Sequence, residues 1–207
     1  MKKIPTLFLR DLSNRKLVID RVTPGLEWVL EGSCVAREKL DGTSCAVLGG
    51  ILYRRFTKAW YEGAAPTPKP FIPSCKIDEG SGKQAGWVPV GDGPEDEFHR
   101  EAQKHCVRRE GFSDGTYELI GPKVQGNPYG CKNHHLMRHD STDILHVPDL
   151  SFSGLKGFLA LPVPSWDDLP LGDHLVEGVV FWGPEGPVAK VKRLDFGLPW
   201  PIKEPQT

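Results

Sequence analysis

Gly49-Gly50 separates two runs of strand-like residues, Thr43–Leu48 and Ile51–Phe56. Two glycines at that spacing supply the positive dihedrals of a two-residue turn, so the runs are expected to pair as adjacent antiparallel strands. Further short runs at Lys16–Asp20, Trp28–Leu30, Thr116–Ile120, Val176–Trp182 and Val188–Arg193 also read as strands, the last two joined through Gly183-Pro184-Glu185-Gly186. The 23 glycines and 19 prolines interrupt long helices far more than short strands, which favours a strand-rich chain. One good helix is expected. Pro94 suits its first turn, Glu95, Asp96 and Glu97 suit its positive end, and Phe98, Ala102 and Cys106 share a face before Arg108, Arg109 and Gly111 end it. Phe152, Leu155, Phe158 and Leu159 give a second, shorter helical stripe. Residues 62–94, with Pro66, Pro68, Pro70 and Pro73, read as a surface excursion holding one brief strand at Trp87–Val90, and the tail from Pro199 reads as leaving the fold.

A length of 207 residues suits one sizeable domain. The formal net charge is -1, so any nucleic acid would have to be held by a local patch rather than by a basic protein as a whole. No apolar run follows the first lysines and none approaches the roughly 20 residues of a membrane span. The expectation is therefore no signal peptide and no membrane. Cys34, Cys45, Cys75, Cys106 and Cys131 are odd in number and scattered, which fits reduced thiols in the cytoplasm.

Lys39 lies in Arg37-Glu38-Lys39-Leu40-Asp41-Gly42-Thr43, just ahead of the hairpin. A Lys-x-Asp-Gly element between strands is the pattern of covalent nucleotidyl transfer, in which a lysine amine attacks the α-phosphorus of a nucleoside triphosphate. The amine must be neutral. From an ordinary pKa of about 10.4, neutrality near pH 7 costs about 4–5 kcal/mol, and neighbouring cations or a metal reduce that cost. Lys190 and Lys192 are two apart and so share a strand face, where they would flank the triphosphate. Glu177, at the start of the strand expected to pair with theirs, is the candidate ligand for Mg²⁺ or Mn²⁺. Glu118, in Tyr117-Glu118-Leu119-Ile120-Gly121, is a carboxylate among apolar neighbours and needs a partner: metal through water, or ribose hydroxyls. Arg54 or Arg55 would reach ribose or the accepting phosphate.

The order Lys39-x-Asp41-Gly42, then Glu118, then Glu177-Gly178-Val179-Val180, then Lys190-x-Lys192 resembles the covalent nucleotidyltransferase superfamily. Gly86-Trp87-Val88-Pro89-Val90, Gly126-Asn127-Pro128-Tyr129-Gly130 and Gly197-Leu198-Pro199-Trp200-Pro201 narrow the resemblance to the ATP-dependent 5′-to-3′ RNA ligases of vertebrates and some viruses, over about Cys34 to Ile202. The resemblance implies an α+β adenylyltransferase fold, unrelated to ATP-grasp. That fold has two antiparallel sheets with flanking helices and ATP in the groove between them. It implies a single nucleotidyltransferase domain over residues 1–207 with no separate C-terminal domain. It assigns Lys39 as the adenylated nucleophile, with Asp41 near the ribose or the metal shell. Glu38, Gly42, Arg55 and Glu118 join Lys39, Lys190 and Lys192 as ATP contacts, and Glu177 is the metal carboxylate. The implied reaction is ATP-dependent ligation through lysyl-AMP and an RNA-adenylate, on RNA with 5′-phosphate and 3′-hydroxyl ends, by a monomer. A GTP-using capping-type guanylyltransferase and a non-catalytic RNA-end binding module are the alternatives.

Cys131, His134, His135 and His139 fit no common zinc-finger spacing and read as surface or RNA-contacting groups. Trp60, Trp87, Trp182 and Trp200 read as core residues rather than base-stacking ones. Asp167-Asp168 reads as a capping or turn pair.

Overall fold

The computed structural model describes residues 4–64, 66–109, 112–164 and 174–201, without the side chains of 107–109. In chain order the strands are β1 (Phe8–Arg10), β2 (Val18–Val22), β3 (Val35–Lys39), β4 (Thr43–Leu48), β5 (Ile51–Ala59), β6 (Ile72–Pro73) and β7 (Lys83–Pro89). Helix α1 (Glu97–Arg109) follows, then β8 (Gly115–Ile120), β9 (His135–Arg138), α2 (Phe152–Ala160), β10 (Gly178–Gly183) and β11 (Gly186–Lys192). All strand pairings are antiparallel. This is an α+β arrangement of antiparallel sheets with few helices, as expected. The chain forms two compact units, one on Asp41–Ser141 and one on Ile4–Leu40 with the segment from Thr142 onward.

The Asp41–Ser141 unit is a six-stranded sheet in the order β6-β7-β5-β4-β8-β9. The β4–β5 hairpin turns at Gly49 and Gly50, whose φ values of 57° and 76° are the left-handed ones the sequence anticipates. Asp114 accepts from both turn amides at 2.9 and 3.1 Å. One sheet face carries Cys45, Val47, Leu52, Tyr117, Leu119 and Leu136, which pack with Ala102, Phe98 and Cys106 of α1. Helix α1 thus buries the stripe its spacing of four predicts. On the opposite face Ala46, Tyr53 and Trp87 form a second buried cluster.

The other unit has the sheet β11-β10-β3 and the ribbon β1-β2. The chain at Pro5–Leu7 docks on the outer edge of β11. Lys190 donates its amide to Pro5 O, and Leu7 donates its amide to Lys190 O. Ala36, Val179, Phe181, Ala189 and Val191 on the core face meet Leu155 and Leu159 of α2. Phe8, Phe152 and Phe196 meet edge to face at 5.0–6.2 Å. Ser151 caps α2, accepting from the Gly154 amide at 3.1 Å.

Several expectations give way. Trp28–Leu30 is not a strand but part of a 3-10 turn over Glu27–Glu31, which buries Val29 alone. The strand at Lys16–Asp20 sits two residues later, at Val18–Val22. The 62–94 excursion contains seven-residue β7 and the short β6, because β7 pairs along β5 from Tyr53 to Ala59. Trp87 is core, but Trp60 is 51 % exposed. The tail does not leave at Pro199, since Pro199 O accepts from Arg193 Nε at 3.0 Å and Leu198 packs on the core. Gly111, Asp167-Asp168 and the end of the tail lie outside the described residues.

Candidate active site

Lys39 is the last residue of β3, not a loop residue. It pairs with Gly178 of β10, and Gly178 pairs with Lys192 of β11. Arg37 and Lys190 stand opposite Val180 in the same way. Residues opposite one another across antiparallel strands share a face, so Arg37, Lys39, Lys190 and Lys192 all belong to one side of the three-stranded sheet. Glu177 precedes β10 by one residue. Its Oε2 lies 2.5 Å from Lys39 Nζ and its Oε1 lies 3.2 Å from Lys192 Nζ. The carboxylate side chain is 4 % exposed, so a charge removed from water is held between two ammonium groups, the condition under which a buried charge is tolerated. Burial lowers the pKa of Lys190, and the nearby Lys39 and Lys192 lower it further.

The end of β11 is held by groups that the sequence reading missed. The Lys192 amide donates to Asp195 Oδ2 at 2.8 Å, and Asp195 Oδ1 pairs with Arg10 Nη1 at 2.7 Å. The Asp195 side chain is 2 % exposed. Its spacing of three from Lys192 is the signal a turn-capping carboxylate gives, but only the fold reveals that Arg10 completes it.

Glu38 is not brought to the lysine face. It stands opposite Val179, on the core face with Ala36 and Phe181, and is buried. His174 Nε2 lies 3.3 Å from both of its carboxylate oxygens. The Glu38 backbone amide donates to Asp143 O at 2.8 Å. Burial, reinforced by the Glu38 carboxylate and opposed by His174 and Arg37, pushes the Asp143 carboxyl up to about 7.

In the other unit the Asp41-Gly42 backbone is tied down on both sides. The Asp41 amide donates to the Tyr129 hydroxyl at 2.6 Å, and the Gly42 amide donates to Glu118 Oε1 at 3.0 Å. A Cβ at Gly42 would lie 2.2 Å from Leu119 O and 2.8 Å from Glu118 Cγ, so no side chain fits there. This is the physical reason for glycine beside Asp41. Glu118 Oε2 also meets His139 Nε2 at 2.9 Å, which supplies the partner its apolar strand required. Ser44 faces Glu118 across β4 and β8, and its hydroxyl is buried without a hydrogen-bond partner. Strand register puts Arg55 on that face too, opposite Trp87, whose ring centroid lies 6.0 Å from the guanidinium.

The histidines expected at the surface divide. His134 is buried, pairs with Glu101 at 2.8 Å and stacks on Phe98 at 4.4 Å. His139 meets Glu118, and His135 lies 6.0 Å from the ring of His105. Among the described residues no three His, Cys, Asp or Glu side chains form a metal-holding group. No disulfide joins any of the five cysteines.

Comparison with known proteins gives a consistent result. A family model described as RNA ligase 1 matches residues 94–207. RNA ligase 1 of Mus musculus is 26% identical over 239 residues, covering 83% of this chain and 69% of the mouse protein. RNA ligase 1 of Rattus norvegicus is 25% identical over 244 residues, covering 83% and 70%. RNA ligase 1 of Danio rerio is 32% identical over 94 residues, covering 43% and 26%.

Proposed function

The chain belongs to the RNA ligase 1 family, and we propose that it is an ATP-dependent RNA ligase working through a covalent Lys39–AMP intermediate. The observation that carries the reading is the Lys39–Glu177–Lys192 constellation, with Lys190 on the same sheet face. A structural lysine needs one carboxylate partner. Two lysines paired with one buried carboxylate, and a third on the same sheet face, make a net cationic place suited to a triphosphate.

In the proposed reaction Lys39 Nζ attacks the α-phosphorus of ATP. A P–N bond forms, the bond to the bridging oxygen breaks, and pyrophosphate leaves. Glu177 fixes where Nζ points. Lys190 and Lys192 offset charge on the phosphate oxygens. The 5′-phosphate of an RNA end then takes AMP from Lys39, and a 3′-hydroxyl attacks that phosphate and expels AMP. Arg55, Glu118, Asp41 and Gly42 are assigned to the nucleoside and ribose, and the unpartnered Ser44 hydroxyl beside Glu118 supports a polar ligand there. Glu177 would hold Mg²⁺ or Mn²⁺. Magnesium keeps most of its waters and takes one or two carboxylates with substrate phosphates, so a site with one carboxylate fits it. Such an ion would supply charge compensation at the phosphate oxygens. None of the described helices is long and apolar enough to cross a membrane. Five cysteines with no disulfide among them support a reducing compartment, the cytoplasm in this reading.

Incubation with α-labelled ATP and magnesium tests the proposal. An acid-labile adduct mapping to Lys39, absent from Lys39→Ala, is expected. Label from GTP but not ATP would replace the reading with capping-type guanylyl transfer. Label from neither would replace it with a non-catalytic binding module.

A further inference from the structure

Trp60 is the large aromatic that departs most from its expected place. It follows β5 by one residue and is 51 % exposed, and Tyr61 beside it is 57 % exposed. An exposed tryptophan without function is usually free to choose rotamers. This one is fixed. Its indole Nε1 donates to Gln84 Oε1 at 3.2 Å, and Gln84 in turn donates to Cys75 O at 2.8 Å. Its backbone amide donates to Gly82 O at 2.9 Å. Lys58, two residues back and therefore on the same strand face, places its ammonium 3.2 Å from the indole centroid. That ammonium also lies 5.8 Å from the ring of Phe71, and Phe71 meets Phe56 edge to face at 6.3 Å.

We infer that Trp60, with Lys58 against its ring, is a stacking platform for an unpaired base of the RNA substrate, outside the residues that handle ATP. The inference rests on RNA as the substrate in the reading above. A rigid, half-exposed indole stacks on a base at little cost in side-chain entropy. A cation at the ring attracts the phosphates that flank that base. The charge at the platform is that of Lys58, since nearby Arg54 is paired with Asp96 and Arg55 is assigned to the nucleotide. An apolar protein partner would have no use for an ammonium held against the ring. The chemistry fits single-stranded nucleic acid better than a duplex, whose bases offer no free face.

The test is titration of a fluorescently labelled, 5′-phosphorylated single-stranded RNA, with AMP attachment to Lys39 measured separately. Trp60→Ala is expected to weaken RNA binding about tenfold, and Trp60→Phe, which keeps a ring, to stay within about threefold. Lys58→Gln should flatten the dependence of log affinity on log salt by about 0.7, the share of one phosphate on a single strand. Leu12→Ala, at an 87 % exposed residue of the other unit, is the control and should bind as the unaltered protein does. Unchanged thermal midpoints would show that each variant folds. Equal RNA affinity of Trp60→Ala and the unaltered protein would overturn the platform alone. No RNA binding by an unaltered protein that still takes AMP would overturn both the platform and the RNA substrate. Failure of AMP attachment with RNA binding intact would strike the ligase reading and leave the platform standing.

Discussion

At Lys39 the proposed role as nucleophile and the observed ion pair with Glu177 are separable by substitution. Lys39→Arg keeps a cation beside Glu177 but offers a guanidinium that stays protonated at any working pH. It should abolish AMP attachment while the thermal midpoint stays near that of the unaltered protein. Lys39→Ala should abolish attachment and lower the midpoint as well, because the buried Glu177 carboxylate then loses the cation 2.5 Å away. Labelling together with thermal unfolding of the two variants checks this, and any label on Lys39→Arg would remove Lys39 from its role. Glu177→Gln keeps the shape and loses the charge. Its adenylylation should fall at least about a hundredfold at saturating magnesium, in the range seen when a charged contact to a reacting phosphate is lost. A normal rate would move the metal elsewhere. The order of short motifs singled out Lys39, Glu177, Lys190 and Lys192, and the structure puts Lys39 and Lys192 against Glu177 with Lys190 on the same sheet face. The sequence could not show that Glu38 turns away from its neighbour Lys39, since that depends on strand alternation at a boundary only the fold fixes.

The elements that were legible are those with local causes. Gly49-Gly50 dictates the β4–β5 hairpin by backbone geometry, and a stripe of apolar residues three or four apart dictates α1 and α2. The elements that were missed or cut short have distant causes. Strand β7 forms inside a proline- and glycine-rich stretch because β5 offers it seven consecutive partners. Strand β9 pairs with β8 across a loop with no strand signature of its own. Trp28–Leu30 has strand composition, yet it lies in a 3-10 turn that buries Val29 and leaves Trp28 and Leu30 packed at the core's edge. Two substitutions test the elements. Leu155→Ala in α2 removes a fully buried side chain and should cost about 2–5 kcal/mol in denaturant unfolding. Gly42→Ala would set a methyl group 2.2 Å from Leu119 O, which forces β4 from β8 and breaks the Gly42–Glu118 hydrogen bond. It should lower both the thermal midpoint and the affinity for ATP. A variant with unaltered ATP affinity would detach Glu118 from nucleotide binding.

Over the whole molecule, stability should depend on pH through a carboxyl that ordinary surface aspartates do not resemble. Asp143 is pushed up to about 7, chiefly by burial and then by Glu38, whereas an aspartate in an unfolded chain titrates near 3.9. Between those values the native protein keeps a proton that the unfolded chain has released. Stability from this group therefore falls as pH rises from about 4 to about 7 and is level above that. The direction is opposite to that of a carboxylate held by a salt bridge. His174 and Arg37, which face the same carboxyl, limit the effect without reversing it. Asp143→Asn removes the titration and leaves Glu38 and His174 in place. The expected result is a smaller loss of thermal midpoint for Asp143→Asn than for the unaltered protein between about pH 5 and about pH 8. Parallel pH profiles for the two proteins would show that Asp143 is ionised in the folded state across this range.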